Sequence, residues 1–253
     1  MGGSTSSPMG KTYLSTAVTE DGNPKDLVPN TRIRLEFAEQ PNPNEEGPRV
    51  YHCFGAYAGC NQLGASAAAG ELLADGRLWI DGYFVTQQRC EPPLMVQDEW
   101  LTRFLVSKPS WHLNDGQLTL ASAGTAIALL DRKIAEPDFP LDRPRWKVDT
   151  VIIKDGDLRQ YHHGAEEAWM TFDGERLTGW TGCNELSGLV TRTRTELTFT
   201  GVTTTDHACT GETAEVETAI LTTLRATVTY TIDYNRLTLL TPAGTGLDLT
   251  AIR

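Results

Sequence analysis

Gly59-Cys60-Asn61-Gln62-Leu63 returns as Gly182-Cys183-Asn184-Glu185-Leu186, an offset of 182 − 59 = 123 residues, and each copy is followed by a second cysteine, Cys90 and Cys209, at an offset of 209 − 90 = 119. Past that cysteine the register holds without a gap: Asp98 matches Glu217, Leu105 matches Leu224, Trp111 matches Tyr230, and Leu118-Thr119-Leu120 matches Leu237-Thr238-Leu239. A repeat of this length reads as a duplicated domain rather than a solenoid unit, because each copy is large enough to bury its own core. The 253 residues accordingly divide into an N-terminal tether (1–10), a first domain (11–133), a linker (134–144) and a second domain (145–253). In the linker Pro137, Pro140 and Pro144 are interleaved with Asp138, Asp142 and Arg143, a composition that blocks both helix and ladder.

Within each copy the dominant signal is short alternating runs such as Thr31 to Phe37, Val228 to Ile232 and Leu237 to Leu239, which read as strands with one wet face. Asn114-Asp115-Gly116 and Asp233-Tyr234-Asn235 separate paired runs and predict hairpins. One segment per copy breaks the alternation. Thr213 to Arg225 contains no Gly or Pro and places Val216, Ile220 and Leu224 four apart on one helical face, and Val96 to Leu105 is its counterpart. The fold class is therefore α+β, mainly antiparallel β: two similar domains, each a curled sheet or incomplete barrel packed on one helix. The first copy adds a Pro-rich excursion, Gln40 to Arg49, that the second lacks, and it reads as an exposed loop.

Charge and hydropathy narrow the function. With 22 basic against 33 acidic side chains the net charge is −11, which discounts nucleic acid as a partner, since phosphate binding draws on Lys and Arg. No apolar run approaches the roughly 20 residues that span a bilayer. Met1 to Gly10 is rich in Gly and Ser and reads as the tether of an exported lipoprotein whose signal peptide and lipid-bearing cysteine are absent from this chain. N-myristoylation at Gly2 is the alternative.

Cys60 and Cys90 lie 30 positions apart, Cys183 and Cys209 lie 26 apart, and neither pair has the close knuckle spacing of a zinc site. A disulfide within each domain accounts for the matched recurrence and favours an oxidising compartment, with buried free thiols as the alternative. Cys53 has no counterpart, because 53 + 123 = 176 is Arg176.

The order Trp146, then Trp169-Met170-Thr171-Phe172, then Gly182-Cys183-Asn184 with Ser187-Gly188, then Thr203-Thr204-Thr205 to Cys209 and Glu217, resembles the META domain family from about Arg145 to the C-terminus. The first copy is similar but diverged, with Tyr13 for the opening Trp and Gly64-Ala65 for the Ser-Gly. The resemblance implies a small β-rich domain with a helix packed into an incomplete barrel, a disulfide between the two motif cysteines, and members that are often exported or membrane-anchored and associated with stress response. It implies no catalytic mechanism and no cofactor.

Other constellations carry less. His162-His163 with Glu166-Glu167 reads as a surface loop rather than a metal site. Asn61 and Asn184 read as turn residues, suited to local backbone hydrogen bonds and to positive φ. The tryptophans read as core, except that Trp180 and Tyr57, three before each motif cysteine and close to glycine, are placed to border a groove. The expectation is a non-enzymatic, exported or envelope-anchored binding or stress-response protein. Its partner is an unidentified protein or small ligand, met at a surface that includes Asn42, Glu45, Tyr57 and Trp180. The alternative is an inhibitor of an extracellular enzyme acting through residues 40–49.

Overall fold

The computed structural model describes residues 7–41, 50–67, 72–80, 82–155, 158–163 and 167–252, which form two compact units divided between Pro137 and Asp138. The first unit contains β1 (Lys11–Glu20), β2 (Asn23–Pro24), β3 (Arg34–Pro41), β4 (Val50–Tyr57), β5 (Gln62–Ala67), β6 (Phe84–Val85), α1 (Pro92–Val106), β7 (Ser110–Asn114), β8 (Gln117–Ser122), β9 (Thr125–Asp131) and the short α2 (Arg132–Ala135). The second contains β10 (Arg145–Asp155), β11 (Leu158–His163), β12 (Trp169–Asp173), β13 (Arg176–Trp180), β14 (Glu185–Arg192), β15 (Glu196–Thr204), α3 (Gly211–Leu224), β16 (Val228–Asp233), β17 (Arg236–Leu240) and β18 (Gly246–Ile252).

All strand pairings within the two sheets are antiparallel. The first sheet runs β6-β5-β4-β3-β1-β9-β8-β7, with β2 paired to β1. The second runs β11-β10-β12-β13-β14-β15-β16-β17-β18, and β18 pairs back onto β10 from Arg145↔Ile252 to Ile152↔Gly246. Pairing therefore returns to its start and closes the second sheet, whereas among the described residues β6 and β7 do not meet. The ring is thinnest between β15 and β16, which pair only at Glu196↔Thr229 and Leu197↔Val228.

The helices form where the stripe predicts and start earlier. Pro92 and Pro93 occupy the first turn of α1, where the missing N–H has no intrahelical acceptor in any case. Val216, Ile220 and Leu224 of α3 are buried and join the strand residues Met170, Phe172, Leu237, Leu239 and Leu249 in one core. Leu101, Phe104 and Leu105 of α1 do the same with Phe37, Phe54, Leu118 and Ile127. Both hairpins occur, with Asp115 and Gly116 at positive φ between β7 and β8, and Tyr234 at positive φ between β16 and β17.

Residues 138–142, within the stretch read as linker, are engaged by the second unit. Leu141 is 7% exposed in its core, Phe139 packs against that core, and the Asp142 carboxylate meets Arg192 at 2.7 Å. The apolar side chains at 139 and 141 have more to bury here than an extended spacer allows.

The two opening aromatics differ in their polar ends. Trp146 is fully buried and its Nε1 donates to Leu141 O at 2.9 Å. Tyr13 is as deeply buried, but its hydroxyl has no partner among the described residues. Burial first, and the Asp131 charge second, push the Tyr13 pKa from 10.0 up to about 12. The folded state thus holds the proton more tightly than the unfolded chain. Stability from this source is intact below about pH 10 and lost as pH rises towards about 12. Tyr13→Phe removes the unpaired hydroxyl, so it is expected to raise stability at neutral pH by up to about 1 kcal/mol and to flatten the alkaline loss. Urea unfolding of both proteins at pH 7 and 11 measures this.

Candidate functional site

In each copy the motif glycine carries the unusual backbone, and the asparagine does not. Gly59 and Gly182 have φ of 132° and 98°, while neither Asn61 nor Asn184 is at positive φ. The asparagines instead reach across the fold. Asn184 Oδ1 accepts from Thr205 Oγ1 at 2.7 Å and from His207 N at 2.8 Å, and its Nδ2 donates to His207 O at 3.0 Å. Asn61 repeats the set with Thr86 Oγ1 at 3.1 Å, Gln88 N at 2.8 Å and Gln88 O at 3.4 Å. Each asparagine thus clamps the segment leading to the second cysteine. Disulfides join Cys60 to Cys90 and Cys183 to Cys209, and Cys53 on β4 is free and half-buried.

The copies diverge at the helix. In the second unit Glu217 Oε1 accepts from Asn184 Nδ2 at 2.9 Å and Thr181 Oγ1 at 3.0 Å, and Oε2 lies 2.8 Å from Cys209 Sγ. In the first, Ala58 stands at the place of Thr181 and the shorter Asp98 at that of Glu217. Asp98 Oδ2 accepts from Asn61 N at 2.6 Å, and its Oδ1 has no partner among the described residues. Cys183, Cys209 and Glu217 form the only cluster of possible metal ligands found among the described residues, and its two sulfurs are bonded to each other.

Beside this network the outer face of β12 to β15 carries a groove of about 560 Å³, bordered by Trp169, Trp180, Glu185, Ser187, Thr203 and Thr205. Strand alternation puts them there. Ala168, Met170, Leu177 and Gly179 turn inward, so Trp169 and Trp180, directly opposite one another, turn outward. The core reading of Trp169 is thereby corrected: it is half-buried, with the Arg145 guanidinium 4.1 Å from its ring centre. Ser187 and Thr203 hydroxyls stand 3.1 Å apart in the groove wall. Of the remaining tryptophans, Trp100 and Trp111 pack against the first core, and Trp79 lies under Lys108.

The same face of the first unit is covered. Gly64 occupies the place of Ser187, and Phe84 that of Thr203. The Phe84 ring lies where a Cβ on residue 64 would be, so a side chain there would have to displace the ring. Tyr57, the counterpart of Trp180, is 41% exposed on β4 and is not among the described residues that border this groove. The structure thus separates two residues that the sequence treats alike. Asn42 and Glu45 lie outside the described residues. So does Glu166. His162 and His163 are in strand β11, paired with Val151 and Thr150, and not in the loop expected for them. A second recess of about 470 Å³ runs along α3, with apolar walls from Val151, Ile153, Ala214 and Ala219 and with Glu215, Thr218 and Thr245 also lining it.

Ser187, Thr203 and Thr205 entered the sequence reading only through the family pattern. Their common feature, hydroxyl side chains that line one groove from neighbouring stretches of chain, becomes visible once Ser187↔Thr203 pairing is known.

A family model described as META domain matches residues 9–134 and again residues 140–252. Among solved structures, an NMR structure of a protein from Burkholderia xenovorans is 20% identical, with a TM-score of 0.37, covering 44% of this chain and 83% of its own. A second NMR structure is 22% identical, with a TM-score of 0.33, covering 44% of this chain and 90% of its own. Among curated proteins none matches.

Proposed function

The chain belongs to the META domain family, carrying two copies of the domain in tandem, and from that premise we propose that it is a non-enzymatic binding protein of an extracellular or envelope compartment. The two disulfides are compatible with an oxidising environment, and among the described residues no helix is long and apolar enough to cross a membrane. The observation that carries the reading is the groove of the second unit. Its volume suits a small ligand. Its chemistry is two outward tryptophans flanked by hydroxyls and the Glu185 carboxylate, which fits a ligand with one apolar face and several hydroxyl groups, the character of a saccharide. The amides and carboxylates nearest the motif are engaged in holding the second cysteine segment and the helix, which supports binding over catalysis.

Titration with a panel of soluble neutral and amino-sugar oligosaccharides, followed by tryptophan fluorescence and calorimetry, tests this. Saturable binding is expected, and Trp180→Ala should weaken it about 30-fold, the scale of a central aromatic anchor worth about 2 kcal/mol. Absence of binding across the panel, or equal affinity in the variant, would remove the groove from consideration.

A further inference from the structure

The two disulfides occupy matching places but do not have matching surroundings. Glu217 Oε1 takes its donors from Asn184 and Thr181, which leaves Oε2 facing Cys209 Sγ at 2.8 Å with no other partner among the described residues. A disulfide sulfur has no proton to donate. A thiol has one, and a carboxylate is a strong acceptor for it. The Glu217 carboxylate therefore interacts better with the reduced pair than with the oxidised pair. Asp98 touches neither sulfur of the first bridge, being held by Asn61 N at 2.6 Å. Access differs at one sulfur only: Cys60 is 5% exposed, whereas Cys90, Cys183 and Cys209 are all partly exposed.

We propose that Cys183–Cys209 is a redox centre that exchanges with an external dithiol, with Glu217 as its positioning residue, and that Cys60–Cys90 is a structural cross-link. The carboxylate repels an anion approaching Cys209, so the incoming thiolate attacks Cys183 Sγ. The S–S bond breaks, a mixed disulfide forms on Cys183, and Cys209 leaves with proton transfer from water, since a free thiolate beside the carboxylate is disfavoured. Asn184 Nδ2 lies 3.2 Å from Cys209 Sγ, so the hydrogens it directs at His207 O and Glu217 Oε1 are shared in part with the departing sulfur. The Cys209 S–H then donates to Glu217 Oε2. The second thiol of the dithiol attacks its own sulfur in the mixed disulfide, releasing Cys183, which is protonated in turn. Two electrons and two protons pass from the dithiol to the protein, and the dithiol leaves as a disulfide.

The test equilibrates the full-length chain anaerobically with graded ratios of reduced to oxidised dithiothreitol at pH 7, blocks free thiols by alkylation, and quantifies each cysteine pair by peptide mass mapping. Cys183–Cys209 is expected to reach half-reduction at a ratio at least about tenfold lower than Cys60–Cys90, the equivalent of about 30 mV for a two-electron couple. Glu217→Gln places an amide donor beside the sulfur and removes the charge, so the second bridge should become harder to reduce, by about tenfold. A merely loosened fold would act in the opposite direction and make the bridge easier to reduce, so the sign separates the two effects. Coincident reduction of the two bridges in the wild-type chain would overturn the proposal without reference to any variant. So would a Glu217→Gln bridge that opens as readily as the native one, or more readily.

Discussion

A fragment beginning at Asp138 is expected to unfold in one cooperative transition, whereas a fragment beginning at Arg143 should lose most of its stability. The difference is five residues, and their contacts set the size of the effect. Leu141 contributes a side chain that is 7% exposed in the core of the second unit, and its carbonyl is the acceptor for Trp146 Nε1 at 2.9 Å. The Phe139 ring packs at a tilt of 53° and 5.4 Å against that of Tyr234, whose backbone N–H donates to Asp138 Oδ1 at 2.8 Å. Loss of a buried leucine side chain costs about 2–5 kcal/mol, and stranding a buried indole N–H adds about 1–3 kcal/mol. Small domains have only about 5–15 kcal/mol in total. Urea unfolding of the 138–253 and 143–253 fragments, followed by tryptophan fluorescence, measures the gap. Equal midpoints would mean that residues 138–142 merely lie against the second unit.

Asn184→Ala should cost the second unit about 3–5 kcal/mol, and Asn61→Ala should cost the first only about 1–2 kcal/mol. Both side chains serve the same segment, so the contrast comes from burial and from the helix. Asn184 is 3% exposed, and its amide links the His207 backbone to Glu217 on α3, so its removal leaves several buried groups unpaired at once. Asn61 is half-buried, its donor bond to Gln88 O is longer at 3.4 Å, and its amide has no listening carboxylate, because Asp98 is bound to the backbone of residue 61 instead. Chemical denaturation of the two units expressed separately, wild type against variant, gives both numbers. A larger loss in the first unit would show that the shared motif, and not its helix partner, sets the energetics.

Much of the architecture was legible because it is written locally. Val216, Ile220 and Leu224 declare a helix face through a four-residue spacing that needs no knowledge of what they pack against, and all three are buried. Asp115-Gly116 declares its hairpin through backbone preferences of the two residues themselves. The recurrence of Gly-Cys-Asn with a downstream cysteine declares the duplication, since register between copies survives wherever a shared core forbids insertion.

What stayed hidden depends on partners distant in the chain. Whether Trp169 enters the core or the groove turns on which face of β12 its neighbours fill, and the Phe84 ring lies over the corresponding face of the first unit in the space that glycine at 64 leaves. Closure of the second sheet requires β10 to meet β18, about a hundred residues later. The reach of Glu217 to Cys209, where Asp98 falls short of its own bridge, is one methylene group read against a fixed helix position. By itself, then, the sequence determined the two domains, their strands and turns, the helix in each and the recurring cysteines, all of them consequences of spacing along the chain. Only the tertiary structure decided which copy carries the tryptophan-bordered groove and a carboxylate against its disulfide, because those depend on side chains brought together by pairing across the sheet, and near-identical motifs present different neighbours once folded.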